Sequence, residues 1–324
     1  MSAIFPPDAL ASGTLVPDAP VAPVAASVQP HVTPAPAMPD VLAPVRPRGR
    51  LRTFIRRYPT IFAGGLLLGL ILFVAIAAPL LGTVDPTALA PSKRTREPSA
   101  IYWFGTDMLG RDVYSRVLYG ARVSLLVGLS VAALSSLIGI TIGLVSGFVR
   151  WADSVIMRVM DGLMSIPPIL LAIALMALTR GSVGNVITAI TIAEIPRVSR
   201  LVRGVVLSLR EQPYVEAAVA SGTRVPLIIW RHILPNTLAP IMVQATYVCA
   251  SAMITEAILS FIGAGTPPTI PSWGNIMAEG RALWQVKAYL VFIPAIFLSL
   301  TVLSVNLLGD GLRDALDPRM AKKV

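Results

Sequence analysis

The sequence predicts an all-α polytopic membrane protein with six transmembrane helices, on three observations. Of its 324 residues 55% are hydrophobic and only 14% charged, with a mean hydropathy of +0.73, against roughly a quarter charged in a typical soluble domain. Charge-free runs long enough to cross a bilayer recur along the chain. The basic residues gather between those runs, where topology signals belong. An ordinary soluble enzyme is thereby excluded. The formal charge of +10 does not point to nucleic acid either, because no basic stripe is interleaved with solvent-facing aromatics. The one cysteine, Cys249, has no internal disulfide partner and reveals nothing about the redox compartment.

Residues 1–45 hold ten prolines and only three charges, Asp8, Asp18 and Asp40, which suits an extended, disordered tail. Proline interrupts every apolar run there and the first basic residue is Arg46, so the order of a cleavable leader is missing. The next segment, 46–119, opens on Arg46, Arg48, Arg50, Arg52, Arg56 and Arg57 and continues into the first helix, 58–84, and an outward loop. The core, 120–309, contains charge-free runs at 123–149, 162–179, 232–255 and 288–309. Each is long enough, or nearly so, to span at about 1.5 Å per residue. A further helix is read over 183–206. It carries Glu194, Pro196, Arg197, Arg200 and Arg203, whose charges are expected at the cytoplasmic end, since mid-bilayer placement costs about 2.5–3.5 kcal/mol each. Residues 310–324 form a cytoplasmic tail.

With both termini cytoplasmic, 18 of the 27 basic residues fall on the cytoplasmic side, as the positive-inside rule expects. The five tryptophans, 103, 151, 230, 273 and 284, lie at predicted helix ends or loops, where interfacial anchors belong. Gly139, Gly143 and Gly147 in the second helix, and Gly65 and Gly69 in the first, have the spacing that lets membrane helices approach closely.

Between the fourth and fifth helices lies the most informative segment, 211–236. Pro213 suits the first turn of a short helix, Gly222 can end it in the left-handed conformation, Thr223 can cap a second helix, and Pro235 can close that one. About nine residues give a rod of roughly 13 Å, smooth because of Ala217, Ala218 and Ala220. Such a knob suits a groove in another protein.

Glu216-Ala217-Ala218, three residues, Gly222 and then Leu234-Pro235 resembles the cytoplasmic signature of binding-protein-dependent ABC importer permeases. The resemblance implies that this is the coupling helix seated in a cleft of the ATPase subunit, carried by Glu216, Ala217, Ala218, Gly222, Leu234 and Pro235. His232 stands where the wider family favours an aliphatic residue, as peptide-type members often have it, and the Val225-Pro226 pair is unusual. The outward loop Trp103-Phe-Gly105-Thr106-Asp107-Met-Leu-Gly110-Arg111-Asp112 is similar to the periplasmic signature of the dipeptide, oligopeptide and nickel branch, in its C-type subunit. So is the stretch from Leu259-Ser-Phe-Ile-Gly263 through Trp273-Gly-Asn275, Glu279 and Asn306-Leu-Leu-Gly309-Asp310 to Asp317-Pro-Arg319. Resemblance covers about residues 50–320.

Asp107 and Asp112 lack the alternating oxygen ligands of a calcium loop and have Arg111 between them. Gly105, Thr106, Asp107, Gly110, Arg111 and Asp112 therefore read as a braced loop that scaffolds the outer gate or meets the substrate-delivering protein. No metal site is expected. Glu256 is the candidate pore residue, with an outer-interface position beside Arg281 or Lys287 as the alternative.

No Gly-Lys pair occurs, since the lysines are 93, 287, 322 and 323, which excludes a P-loop. Only His31 and His232 are present, with no zinc-protease, Cys-x-x-Cys or nucleophile-elbow arrangement. The chain is expected to be no enzyme and to hold no cofactor, with ATP and Mg bound by partner ATPase subunits. The resemblance implies the type I ABC importer permease fold, in the bacterial inner membrane. It also implies four partners: a homologous B-type permease subunit, two ATPase subunits and a periplasmic binding protein. Peptides are the expected cargo, with nickel, glutathione or another small ligand as the alternative. An ion-coupled secondary transporter, the rival class, would need inverted repeats and several buried acids, which are not evident; a non-transporting scaffold is the third reading.

Overall fold

The computed structural model describes residues 55–316, and it is helical nearly throughout. The Pro-rich tail 1–45, the arginines at 46–52 and the end from Asp317 onward lie outside the described residues. Helix α1 spans Pro59–Ala77, α2 Val113–Phe148, α3 Arg150–Met164, α4 Pro168–Ala177, α5 Val183–Arg210 and α6 Pro213–Ala220. A single turn, α7 (Val225–Ile228), passes through a π-helical turn at Ile229–Ile233 into α8, Leu234–Phe261; α9 is Trp273–Gly280 and α10 Tyr289–Leu316. Four of the described helical segments are long and apolar enough to cross a membrane, or five if α3 and α4 form one broken span.

Helix α2 starts ten residues before its charge-free run and reaches 36 residues, about 54 Å at the α-helical rise. Arginines are tolerated in that extension because each has a specific acceptor. Arg116 pairs with the acids Asp107 and Glu279. Arg122 donates from Nε to the Ala75 carbonyl at 2.6 Å and from Nη2 to the Ile76 carbonyl at 3.1 Å, satisfying carbonyls that the end of α1 leaves free.

The glycine stripe of α2 works as expected, and its partner is a valine stripe on α5. A Cβ at Gly139, Gly143 or Gly147 would stand 2.5–2.7 Å from side-chain atoms of Val198, Val202 and Val206 respectively. Both series ascend together, so α2 and α5 run parallel. In α1 the close approach is made by Gly64 instead, whose Cβ would meet Leu308 N at 2.6 Å and Ser304 O at 2.7 Å; Gly69 faces open space. The four-residue spacing identified a real pair of positions but not the face that packs.

Two expectations about the middle of the chain are corrected. The run 162–179 is not one helix: α3 and α4 meet at 85°, because Pro167 and Pro168 stand between them and a residue preceding proline is driven out of the α region. The charges of 183–206 do not all lie at one end. Arg200 and Arg203 reach Asp161 and Asp153 of α3 at 2.5 Å, but Glu194 and Arg197 occupy the middle of the 28-residue α5. Tryptophans 103, 151, 230 and 284 are exposed, whereas Trp273 is fully buried and donates from Nε1 to the Val117 carbonyl at 3.0 Å, pegging α9 to α2 rather than anchoring to an interface.

Candidate functional site

Two sites flank the helices at opposite ends. The first is the 211–236 element, which follows the end of α5, where Arg210 donates to the Gly147 carbonyl near the end of α2. Pro213 opens α6, where its missing N–H costs nothing. The helix closes in a Schellman arrangement: Gly222, at φ +75°, donates to the Val219 carbonyl at 2.9 Å and Thr223 to the Ala218 carbonyl at 3.0 Å. Thr223 therefore finishes α6 and does not cap the next helix; Arg224 holds that position without a side-chain cap. Nor does Pro235 end a helix. It sits in the first turn of α8, immediately after the π turn, and a widened turn is one of the standard ways a helix absorbs a proline ring and its absent donor.

In α6 only Val215 is buried, with Ile228 and Ile233 anchoring the turns between α6 and α8. Glu216, Ala217, Gly222 and Pro235 are exposed, Ala218 and Leu234 partly so. Tyr214, Val219, Val225, Leu227 and Trp230 are also exposed, Trp230 at 71%. Such a cluster of large apolar side chains on a projecting element is the mark of a docking face.

The second site is the loop 78–112 at the other end. Gly105 and Gly110 both have positive φ, +76° and +77°, and a Cβ on Gly110 would lie 1.8 Å from the Ala90 carbonyl oxygen, so only glycine closes this loop. Thr106 is fully buried; its hydroxyl accepts from the Arg96 amide at 2.8 Å and donates to the Lys93 carbonyl at 2.5 Å. Asp112 caps α2, accepting from the Ser115 amide at 2.9 Å and its hydroxyl at 2.6 Å. Asp107 is the hub: one oxygen accepts from the Leu109 and Arg111 amides at 2.8 and 2.9 Å. The other accepts from Arg111 Nε and Arg116 Nη1, both at 2.6 Å.

Glu279 of α9 completes the network by pairing with both Arg111 and Arg116. Two cations thus face two anions, nearly shielded from solvent, and the acids are occupied by guanidinium and amide donors rather than by a metal. Among the described residues no cluster of metal-ligating side chains occurs. Arg116 and Glu279 are members that spacing alone did not single out, because they come from the body of α2 and from a helix 163 residues away. The loop is also bound to α10, whose Tyr289 hydroxyl donates to the Arg96 carbonyl at 2.9 Å. Lys287 Nζ donates to Glu97 at 2.6 Å, which holds that exposed carboxyl below its ordinary range.

Glu256 joins neither end. It is fully buried in α8, accepts from the Ser260 hydroxyl at 2.8 Å, and lines no open surface in this conformation. The alternative pairing is not formed, since Arg281 donates to the Phe261 carbonyl and Lys287 holds Glu97.

Known proteins match this arrangement. Residues 137–322 match the family described as binding-protein-dependent transport system inner membrane component. The chain is 53% identical over 280 residues to a probable peptide ABC transporter permease protein of Sinorhizobium fredii, covering 86% of this chain and 96% of that one. It is 40% identical to the dipeptide transport system permease protein DppC of Alkalihalophilus pseudofirmus, over 90% and 97% of the two chains. Among solved structures, the inward-facing MetNI methionine ABC transporter superposes with a TM-score of 0.53 at 20% identity, covering 62% of this chain and 96% of that one, which supports the type I fold. With more than half the chain matched and a relative similar over almost its full length, this protein belongs to the binding-protein-dependent transport system inner membrane components, the permeases of ABC importers.

Proposed function

We propose that this permease is the C-type subunit of a peptide importer. It would share the translocation pathway with a B-type permease, be driven by two ATPase subunits that bind ATP and Mg, and receive its cargo from a periplasmic binding protein. The chain itself performs no catalysis in this reading. The observation that carries it is α6: an eight-residue helix held by one buried side chain, rimmed by exposed apolar residues, and joined to the end of α5. Closure of the ATPase pair would press on Glu216, Ala217 and Ala218, with Gly222, Leu234 and Pro235 setting the angle at which the element meets α8. The loop formed by Gly105, Thr106, Asp107, Gly110, Arg111 and Asp112 would be the rigid rim of the outer gate.

Six crossings with both termini cytoplasmic fit this mechanism. Parallel α2 and α5 require a return crossing between them, and only α3 and α4 lie there; a Cβ on Gly181, beyond α4, would be 3.6 Å from the Gly265 carbonyl oxygen, beyond the far end of α8. Glu256 enters as a residue exposed when the α2, α8 and α9 contact opens. The test is purification and uptake. Glu216→Lys or Gly222→Asp should strip the ATPase subunits from the purified complex and abolish uptake; retention of both would sink the coupling role. Unchanged uptake by Glu256→Gln at normal expression would remove Glu256 from the pathway.

A further inference from the structure

The polar residues of α5 and α8 left unused by either end converge near the middle of the bundle. Glu194 stands eleven residues into α5 and Ser251 ten residues before the end of α8, roughly 17 and 15 Å along their helices. Both are thus about the midplane of a hydrocarbon core some 30 Å thick. Glu194 is 3% exposed; one oxygen accepts from the Ser251 hydroxyl at 3.3 Å. Its other oxygen has no hydrogen-bond partner and lies 3.6 Å from Arg197 Nη1. Arg197 leans outward, its side chain 37% exposed, over the ring of Tyr247 at 5.1 Å. The Gln244 amide nitrogen is buried without a partner beside them along α8.

A guanidinium open at this depth is stabilised only against water or a polar partner, because lipid would cost several kcal/mol. The seam is rich in donors: the Arg197 fork, the Gln244 amide and the Ser251 hydroxyl. Its single acid holds Arg197 from just beyond hydrogen-bond range, so an incoming anion can compete for the fork. We infer that Glu194, Arg197, Gln244, Tyr247 and Ser251 form a transit station that takes the terminal carboxylate of a peptide. Arg197 engages that carboxylate bidentately, Gln244 donates to the neighbouring peptide carbonyl, and Glu194 reclaims Arg197 when the cargo moves on. Weak, exchangeable capture is what conduction demands.

The inference rests on the peptide-importer reading, and the test separates the two. The complete importer is reconstituted in proteoliposomes, and uptake of trialanine is compared with that of trialanine amide at saturating binding protein. Because the binding protein is common to all variants, a change in the acid-to-amide ratio reports the permease. Arg197→Gln should cut uptake of the acid at least tenfold and of the amide less than twofold, with binding-protein-stimulated ATP hydrolysis preserved; Arg197→Lys should recover part of the loss, and Gln244→Leu should show a smaller change in the same direction. Acid and amide falling together, or an unchanged ratio, overturns the station. Loss of the B-type permease from purified Arg197→Gln and Gln244→Leu complexes alike assigns the seam to subunit contact and also overturns it. A wild-type importer that carries neither peptide refutes the peptide reading itself, and the station with it.

Discussion

Gly110 and Gly222 have nearly the same backbone, φ +77° and +75°, yet stand in opposite surroundings. At Gly110 the chain folds back on Ala90 so closely that no side chain fits, whereas nothing lies within 4 Å of a Cβ on Gly222. The first belongs to a loop tied down by buried ion pairs and by α10. The second ends a helix seated by one valine. The contrast separates two mechanical roles: one end is built as a fixed frame, the other as a projecting element whose own stability comes from local capping and whose orientation is left to a partner.

Breaking the frame should have the largest effect. Arg116→Ala leaves Asp107 and Glu279 to share Arg111 in a nearly dry site, and removing one member of a buried pair costs about 3–5 kcal/mol. Denaturant unfolding of the purified complex should show it, and a loss below about 1 kcal/mol would mean that water enters the network freely, as at exposed pairs. The two glycines offer a sharper comparison. Gly222→Ala meets only the left-handed backbone penalty, about 1–2 kcal/mol, confined to α6. Hydrogen exchange at the Thr223 amide should accelerate while the global unfolding midpoint holds. Gly110→Ala adds a backbone clash and should lower the midpoint; equal behaviour of the two would erase the distinction between frame and projecting element.

The smallest effect belongs to the Glu97–Lys287 contact. Lys287 lowers the Glu97 carboxyl from its reference value of 4.5, so its stabilisation is fully present above that value and fades as pH falls through the lower, folded-state value. Lys287→Met should flatten the stability-against-pH curve only in that acid range, leaving neutral pH nearly unchanged, because the carboxyl is fully exposed and screened.

Several features of the fold were legible in the residues. Charge-free runs located the long helices because an apolar run has one stable environment. Pro213 and Gly222 bounded α6 because their backbone restrictions are local. The glycine stripe of α2 marked a close contact. What periodicity missed depended on distant partners: the early start of α2 rests on acceptors in α1 and on Glu279, and the burial of Trp273 rests on a carbonyl of α2. Gly64 rather than Gly65 or Gly69 packs, because the face of α1 that meets α10 is set by the bundle. The site residues divide in the same way. The Glu216-Ala217-Ala218 and Gly105-to-Asp112 segments were readable as motifs, but Arg116, Glu279 and the Glu194–Arg197 pair were not.

By itself, then, the sequence determined the membrane class, the approximate positions of most spans, the small-residue stripe and the exposed helical element, since each follows from composition or from short-range backbone chemistry. The tertiary structure decided which charges are neutralised and by whom, that the third run breaks at Pro167–Pro168 with an 85° bend, and that Glu194 and Arg197 stand mid-bundle rather than at its end. An ionisable side chain at membrane depth is stable only with a partner supplied from elsewhere in the chain or by what passes through it, and that partnership is a matter of three-dimensional contact.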